Sequence, residues 1–558
     1  MTGSVIGRAR AALALIAVTA ATLAPASGRE LGGVEVLVLH RDGAVAAGDA
    51  VRDAGGTVGL ALPVASSVSA LVPVRAVRSL EAQPGVVSVT PNDPIQMTQT
   101  SSDSTSTVRT VYAREVGADR MRSSGVDGTG VRVALIDTGV SPADPRDVRV
   151  ASVPHPFVRD GERQACLNLS GEAHCRDSFG HGTFMAGLIA GTGASSGGRY
   201  TGIAPGAEIV SVKIAGRDGS ADVTKLLAAI QWVVSFRQEL GISVLNLSLG
   251  TNSRAPYQYD PLNYAVQRAW RAGITVVVSA SNRGPARETI SKPADDPLVL
   301  TVGATDDHGT PAIDDDRLPY FSSRGPTAHG LAKPDVVAPG SLLVSLRSPN
   351  SFVEASDPSG GVDANHRRAS GTSMSAAVVS GVAALVHQAR PDWGPDNVKH
   401  ALMTTARPVA DRDPLSVGRG VVHAPSAASA ATGRANVGVS LPLQPSGSLD
   451  ESRADVLVSR ECRLGERLLN PKCDHVNGDQ TANGGTWDPT AYQSDWTGSS
   501  WYGSQWIPSL GSSWYGSSWY GRDWISTNFQ GSSWYGNSDD SLDYGLPLLG
   551  SSWYGAWR

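Results

Sequence analysis

Apolar runs that are near-continuous rather than alternating mark the middle of the chain, at 131–136, 208–214, 242–247, 274–278 and 298–302. Between them, 222–238 and 261–272 carry apolar residues at helical spacing. Strands that are apolar throughout are buried on both faces, and helices between them serve as crossovers. This predicts an α/β fold, a parallel sheet with helices on both faces, over 108–430. In such sheets chemistry gathers at the carboxyl ends of the strands.

The pattern ahead of this domain is different. A strand at 34–39, a short helix at 46–54, two alternating strands within 58–74, a helix at 74–83 stopped by Pro84-Gly85 and a strand at 86–90 give a small split βαβ unit. The run 98–107, all Ser, Thr, Gln and Asp, reads as an exposed linker suited to proteolysis. At the start, Arg8 and Arg10 precede an apolar stretch at 11–24 and the small-x-small pattern Ala24-Pro25-Ala26, which predicts an export signal over 1–26. A membrane anchor is the competing reading, and the stretch is shorter than the roughly 20 residues a span needs.

Composition adds little about partners, since a net charge of −5 gives no reason to expect nucleic acid. The four cysteines fall as two close pairs, Cys166 with Cys175 and Cys462 with Cys473. Export to an oxidising compartment and proximity favour two local disulfides, although four cysteines allow three connectivities. A metal site is the alternative, but the spacings match no zinc pattern.

Four residues are placed for chemistry. Ser373, in Gly371-Thr372-Ser373-Met374-Ser375-Ala376, has small neighbours and precedes an apolar run at 376–386, which puts its hydroxyl at a helix N-terminus. His181, between Gly180 and Gly182, is open to backbone and substrate, and a reference pKa near 6.5 suits a general base. Asp137, in Asp137-Thr138-Gly139, closes a strand and is positioned to hold an imidazole. By itself that motif equally suits a turn or an aspartic protease, whose dyad would need a second copy that the chain lacks. Asn282 also follows a strand and offers a side-chain amide to an oxyanion.

Together with Asn246-Leu247-Ser248-Leu249-Gly250, these motifs, in this order, resemble those of the subtilisin-like serine peptidases over 111–430. The resemblance implies a triad of Asp137, His181 and Ser373, an oxyanion donor at Asn282, and a substrate-pairing edge at Ser248, Leu249 and Gly250. It implies no cofactor, and an inhibitory propeptide in 27–107 as intramolecular partner. The family often has glycine where this chain has Ser281, and 191–201 lacks the insertion that builds a calcium loop in several relatives, so no metal is expected there. Asp306-Asp307 and Asp314-Asp315-Asp316 are expected to form a solvated charged loop rather than a cation site. Arg283 near the pocket rim would disfavour a basic residue before the scissile bond.

After a linker with the second cysteine pair at 431–486, the segment 487–558 holds ten of the thirteen tryptophans and five Ser-Ser-Trp-Tyr-Gly copies, beginning at Ser499, Ser512, Ser517, Ser532 and Ser551. Their unequal spacing argues against a solenoid of fixed repeat, so the tail reads as flexible. With six aspartates and two arginines it lacks the positive funnel that single-stranded nucleic acid needs. Its aromatics could contact polysaccharide or cell wall. Two functions follow: a secreted, self-maturing serine endopeptidase acting on protein or peptide substrates, with no transmembrane anchor, or a surface-binding protein whose peptidase-like domain is a weakly active or inactive scaffold.

Overall fold

A computed structural model describes residues 33–97, 110–154 and 163–439, together with the backbone of short strands beyond 485. The expected export signal, the linker at 98–107 and the Cys462, Cys473 pair lie outside the described residues.

The N-terminal module follows its sequence pattern. Strands β1 (Gly33–His40), β2 (Thr57–Leu62), β3 (Ser67–Pro73) and β4 (Val86–Pro91) form an antiparallel sheet in the order β2-β3-β1-β4, with helices α1 (Ala44–Asp53) and α2 (Val77–Glu81). Successive side chains of a strand face opposite ways, and β1 uses both faces. Val36 and Val38 pack in the module's own core, whereas Leu37 joins Leu62 and Val64 in a core shared with the following domain. Hydrogen bonds from Ser88 Oγ to Tyr259 O (2.6 Å) and from Val64 N to Gln231 Oε1 (3.2 Å) fix the docking. A fifth strand, β5 (Pro94–Met97), was not foreseen from sequence. It leaves this sheet and enters the next domain.

That domain is built on a seven-stranded parallel sheet. In chain order its strands are β6 (Arg132–Asp137), β7 (Leu167–Asn168), β8 (Glu208–Lys213), β10 (Ile242–Leu247), β12 (Thr275–Ser279), β13 (Leu300–Thr305) and β14 (Val336–Pro339), and in space the order is β14-β13-β12-β10-β6-β8-β7. Two short strands lie apart from it: β9 (Ala221–Asp222) and β11 (Leu249–Gly250), which flank β5. Two short helices, α3 (Tyr112–Glu115) and α4 (Ala118–Ser123), precede β6. Alternation within β6 shows why both faces are covered. Val133 and Leu135 pack with helices α5 (His181–Ala190) and α8 (Thr372–Ala389), while Ala134 and Ile136 pack with α6 (Val223–Leu240) and α7 (Pro261–Arg271). Cys166 and Cys175 are joined as a disulfide, with Cα atoms 5.7 Å apart. Among the described residues no helix is long and apolar enough to cross a membrane.

Two further features bind distant segments. Lys399 directs its ammonium to the carbonyls of Pro297 (2.9 Å), Leu298 (3.1 Å) and Val299 (3.0 Å), and to Asp335 Oδ1 at 3.5 Å. Lys333 bridges Val299 O (2.9 Å) and Asp335 Oδ2 (2.7 Å) beside it. These groups are buried, so each charge is stabilised only by the dipoles and carboxylate around it.

The second feature corrects an expectation. Asp307 and Asp316, read above as part of a solvated loop, are only 4% and 1% exposed, and Glu115 beside them is 1% exposed. Loop burial became possible because these acids share an environment with one another and with Arg407, whose guanidinium binds Glu115 O. Among the described residues no three His, Cys, Asp or Glu are arranged to hold a metal ion. Burial raises the carboxyl pKa values, to about 10 for Glu115, where Asp316 and Asp307 add to it, and to about 7 for Asp316, where Asp307 adds to it. A folded pKa above the unfolded one stabilises fully below the unfolded value and is lost as pH rises through the folded value. Asp316→Asn should therefore leave the melting temperature near pH 3 little changed and raise it at pH 9 by about 2–4 °C. Calorimetry at both values tests this; equal shifts at the two would refute it.

In the tail, strands Ser500–Tyr502, Ser518–Trp524, Ser533–Ser538 and Ser552–Tyr554 pair in parallel, with Trp501, Trp519, Trp534 and Trp553 in register. Unequal spacing argued against a regular stack. The strands of four copies nevertheless pair in register, and the copy beginning at Ser512 lies outside the described residues.

Candidate active site

The carboxyl end of β6 delivers Asp137, as the strand pattern predicts, and the residues around it explain its fixed pose. Asp137 Oδ1 accepts from Thr138 N (2.8 Å), and both carboxylate oxygens face His181 Nδ1, at 2.8 and 3.0 Å. His181 is itself the first residue of α5, earlier than the apolar run suggested. Gly182 follows because no side chain fits: an added Cβ would stand 2.2 Å from Gly139 O. His181 is fully buried, and its Nε2 has no hydrogen-bond partner among the described residues. With Nδ1 committed to the carboxylate, Nε2 is the nitrogen left to exchange a proton.

Sequence reasoning missed Asp177, which organises this corner. It accepts from Thr138 Oγ1 (2.7 Å), Gly180 N (2.6 Å) and Thr183 N (2.8 Å), and so satisfies backbone donors at the start of α5. Desolvation raises its pKa, opposed by these hydrogen bonds. An acidic residue shortly before Gly180-His181 was the available signal. Behind it, Lys213 holds the loop after β6 through Thr138 O (2.7 Å) and Ala215 O (2.8 Å).

Ser373 lies in the first turn of α8, as predicted, and is fully buried. Its Oγ donates to Ser248 O at 3.0 Å, and Ser248 Oγ donates to Ser373 O at 3.0 Å, so the nucleophile candidate is tied to the residue leading into β11. Asn282 comes next to it through a neighbour that sequence did not flag. Its Oδ1 accepts from both Thr372 N and Thr372 Oγ1, each at 2.9 Å. Two donors on that oxygen fix the amide orientation. Nδ2 is left buried and without a partner among the described residues, as a donor awaiting an acceptor.

Ser281, just before this asparagine, stands at a backbone position that suits glycine. Its φ of 96° lies in the left-handed region, which costs a residue with a side chain on the order of 1–3 kcal/mol. A bond from Ser323 N to Ser281 O (3.0 Å) helps hold it. Arg283 is tied down by Thr289 O (3.1 Å) through Nη2 and by Ser323 Oγ (3.1 Å) through its backbone N–H. Desolvation lowers its pKa to about 10.

Residues 128–436, more than half of the chain, match the family described as the Subtilase family. The chain belongs to the subtilase family. This subtilase is 39% identical over 302 residues to Serine protease AprX of Bacillus subtilis, an alignment covering 53% of this chain and 66% of that relative. It is 31% identical over 312 residues to Subtilisin Savinase of Lederbergia lenta, covering 56% of this chain and 96% of that one. Its fold is shared with fervidolysin from Fervidobacterium pennivorans, a keratinolytic enzyme related to subtilisin, with a TM-score of 0.55 at 24% identity over 73% of this chain and 62% of the other.

Proposed function

We propose that this subtilase is a secreted serine endopeptidase made as a self-maturing zymogen. The observation that carries the reading is the His181 imidazole, held by Asp137 at 2.8 Å through Nδ1 while Nε2 has no partner among the described residues. In the reaction Ser373 Oγ turns from Ser248 O toward Nε2 and attacks the peptide carbonyl as His181 takes its proton. The negative charge that develops on the carbonyl oxygen is received by Asn282 Nδ2 and the backbone N–H of Ser373, where the N-terminal end of α8 adds its dipole. His181 then protonates the leaving amine. Water enters, deacylates Ser373 by the same proton relay and completes hydrolysis.

Residues 33–97 serve as the inhibitor. The support is β5, which lies between β9 and β11 where an extended substrate would pair. The test is mass spectrometry of exported protein treated with a serine-directed phosphonate: one adduct and loss of the N-terminal module are expected. No adduct on protein freed of the module would end the reading.

Asn282→Ala should lower kcat by about 10²–10³, the size of effect known for the corresponding donor in subtilisin, with KM little changed. Steady-state hydrolysis of a chromogenic peptide measures it. A rise in KM at constant kcat would place Asn282 in ground-state binding instead.

A further inference from the structure

A loop closed by its own disulfide stands directly behind the turn that presents Asp137. It starts at the edge of the sheet. β7 is two residues long and pairs with β8, which pairs with β6, and the registers set Asn168, Lys213 and Asp137 abreast across the three strands. Leu169 N donates to Lys213 O (2.7 Å) and Ile214 N donates to Asp137 O (2.9 Å), so backbone bonds lead from the loop to Asp137. The chain then turns through 170–174 and comes back to Cys175, which is bonded to Cys166. Asn168 Nδ2 ties that turn by donating to Glu172 O (2.6 Å) and His174 O (3.1 Å).

Two contacts pass the position of the loop onward. The first is backbone packing. Gly139, with φ of 109°, lies so close to the returning chain that an added Cβ would be 2.8 Å from Cys175 O and 3.2 Å from Asp177 N. The second is ionic. Glu172 Oε2 stands 3.1 Å from Lys213 Nζ, and the fully buried Lys213 gives further bonds to Thr138 O and Ala215 O. Thr138 N then holds Asp137 Oδ1, while Thr138 Oγ1 donates to Asp177 Oδ1 and accepts from Gly182 N (2.8 Å). Glu172 is itself fixed by Ser178 Oγ (2.7 Å) and Arg217 N (3.0 Å), with His174 Nδ1 at 3.8 Å. A buried ammonium needs a counter-charge, and among the described residues the ion-pair partner of Lys213 is Glu172.

We propose that Glu172 is a positioning residue for the pair Asp137 and His181, and that the bond between Cys166 and Cys175 keeps it in place, so that turnover depends on the oxidation state of this disulfide. With the bond intact, Lys213 is neutralised from the loop side and grips the carbonyl of Thr138, which steadies the carboxylate against His181 Nδ1. A dithiol that attacks at the half-buried Cys175 passes two electrons to the pair. The S–S bond breaks, each sulfur takes a proton, and the dithiol leaves as its own disulfide. Glu172 then withdraws, and the uncompensated ammonium acts on the imidazolium that forms in catalysis, which like charge disfavours. β9 and β11 take no part in this route, so substrate binding is spared. The inference rests on the serine-peptidase reading and concerns the regulation of that site.

The test compares full-length wild type, matured on export, with Glu172→Gln and the double variant Cys166→Ser/Cys175→Ser on a chromogenic peptide. Referring kcat to sites titrated with phosphonate removes misfolded protein from the comparison. Glu172→Gln keeps the size and loses the charge. It should lower kcat about ten- to a hundredfold with KM within about twofold, and the rise of kcat with pH should move to lower pH. Dithiothreitol should lower wild-type kcat in the same way, reversibly on reoxidation, and should leave the double serine variant, already low, unchanged. A kcat unaltered in Glu172→Gln, a loss borne by KM or an unmoved pH profile overturns the inference alone. So does an equal effect of dithiothreitol on the double serine variant, which would assign it to Cys462 and Cys473. Wild type that neither cuts peptide nor takes phosphonate overturns the peptidase reading and the inference with it.

Discussion

Ser373→Ala is expected to abolish peptide hydrolysis, lowering kcat on the order of 10⁶-fold, the loss known for the nucleophile of subtilisin. The substitution removes one oxygen from a fully buried side chain at the start of α8 and breaks its 3.0 Å bond to Ser248 O, so the fold should survive. What is lost is the hydroxyl that Ser373 presents to Ser248 O at the N-terminus of α8. The variant should therefore keep residues 33–97 attached and take up no phosphonate, while wild type does the reverse. Residual turnover about 10³–10⁴ above water is expected from Asn282 and substrate binding alone. Measured activity within tenfold of wild type would remove Ser373 from the nucleophile's role.

Asp137→Asn comes next in size, with kcat down about 10⁴-fold near neutrality. Its cause differs. The carboxylate accepts at both oxygens from His181 Nδ1, at 2.8 and 3.0 Å, and Thr138 N holds one of those oxygens at 2.8 Å. An amide turned with its NH₂ toward the ring would donate to Nδ1 and drive the ring proton to Nε2, which could then no longer accept from Ser373. Geometry would be kept and chemistry lost, so kcat should fall with KM nearly unchanged. Steady-state kinetics with a peptide substrate decides it, and a variant within tenfold of wild type would show that Asp137 does not set the tautomer.

Much of this site is legible in the chain because its residues sit in unusual local company. Asp137, His181, Ser373 and Asn282 each follow a strand or open a helix among small residues, and the apolar runs alone indicate the parallel sheet. The rest depends on partners far apart in sequence. Thr372 matters through an amide 90 residues away, and Asp177 through Thr138, 39 residues away. Neither spacing leaves a local pattern. β5 is four residues long, begins with proline and carries one glutamine, and it becomes a strand only because β9 and β11 flank it. Asp307 and Asp316 read as solvent-facing by composition, and only the neighbourhood of Glu115 and Arg407 makes their burial intelligible.

The ammonium of Lys399, set among the carbonyls of Pro297, Leu298 and Val299, behaves as an ion on a leash. It arrives with the chain at fixed stoichiometry, so neither dialysis nor a chelator can strip it from that loop. Its vulnerability is to base: desolvation brings its pKa down to about 8 even though Asp335 pulls the other way. For this loop the acidity of the medium, and not its mineral content, decides whether the positive charge is present.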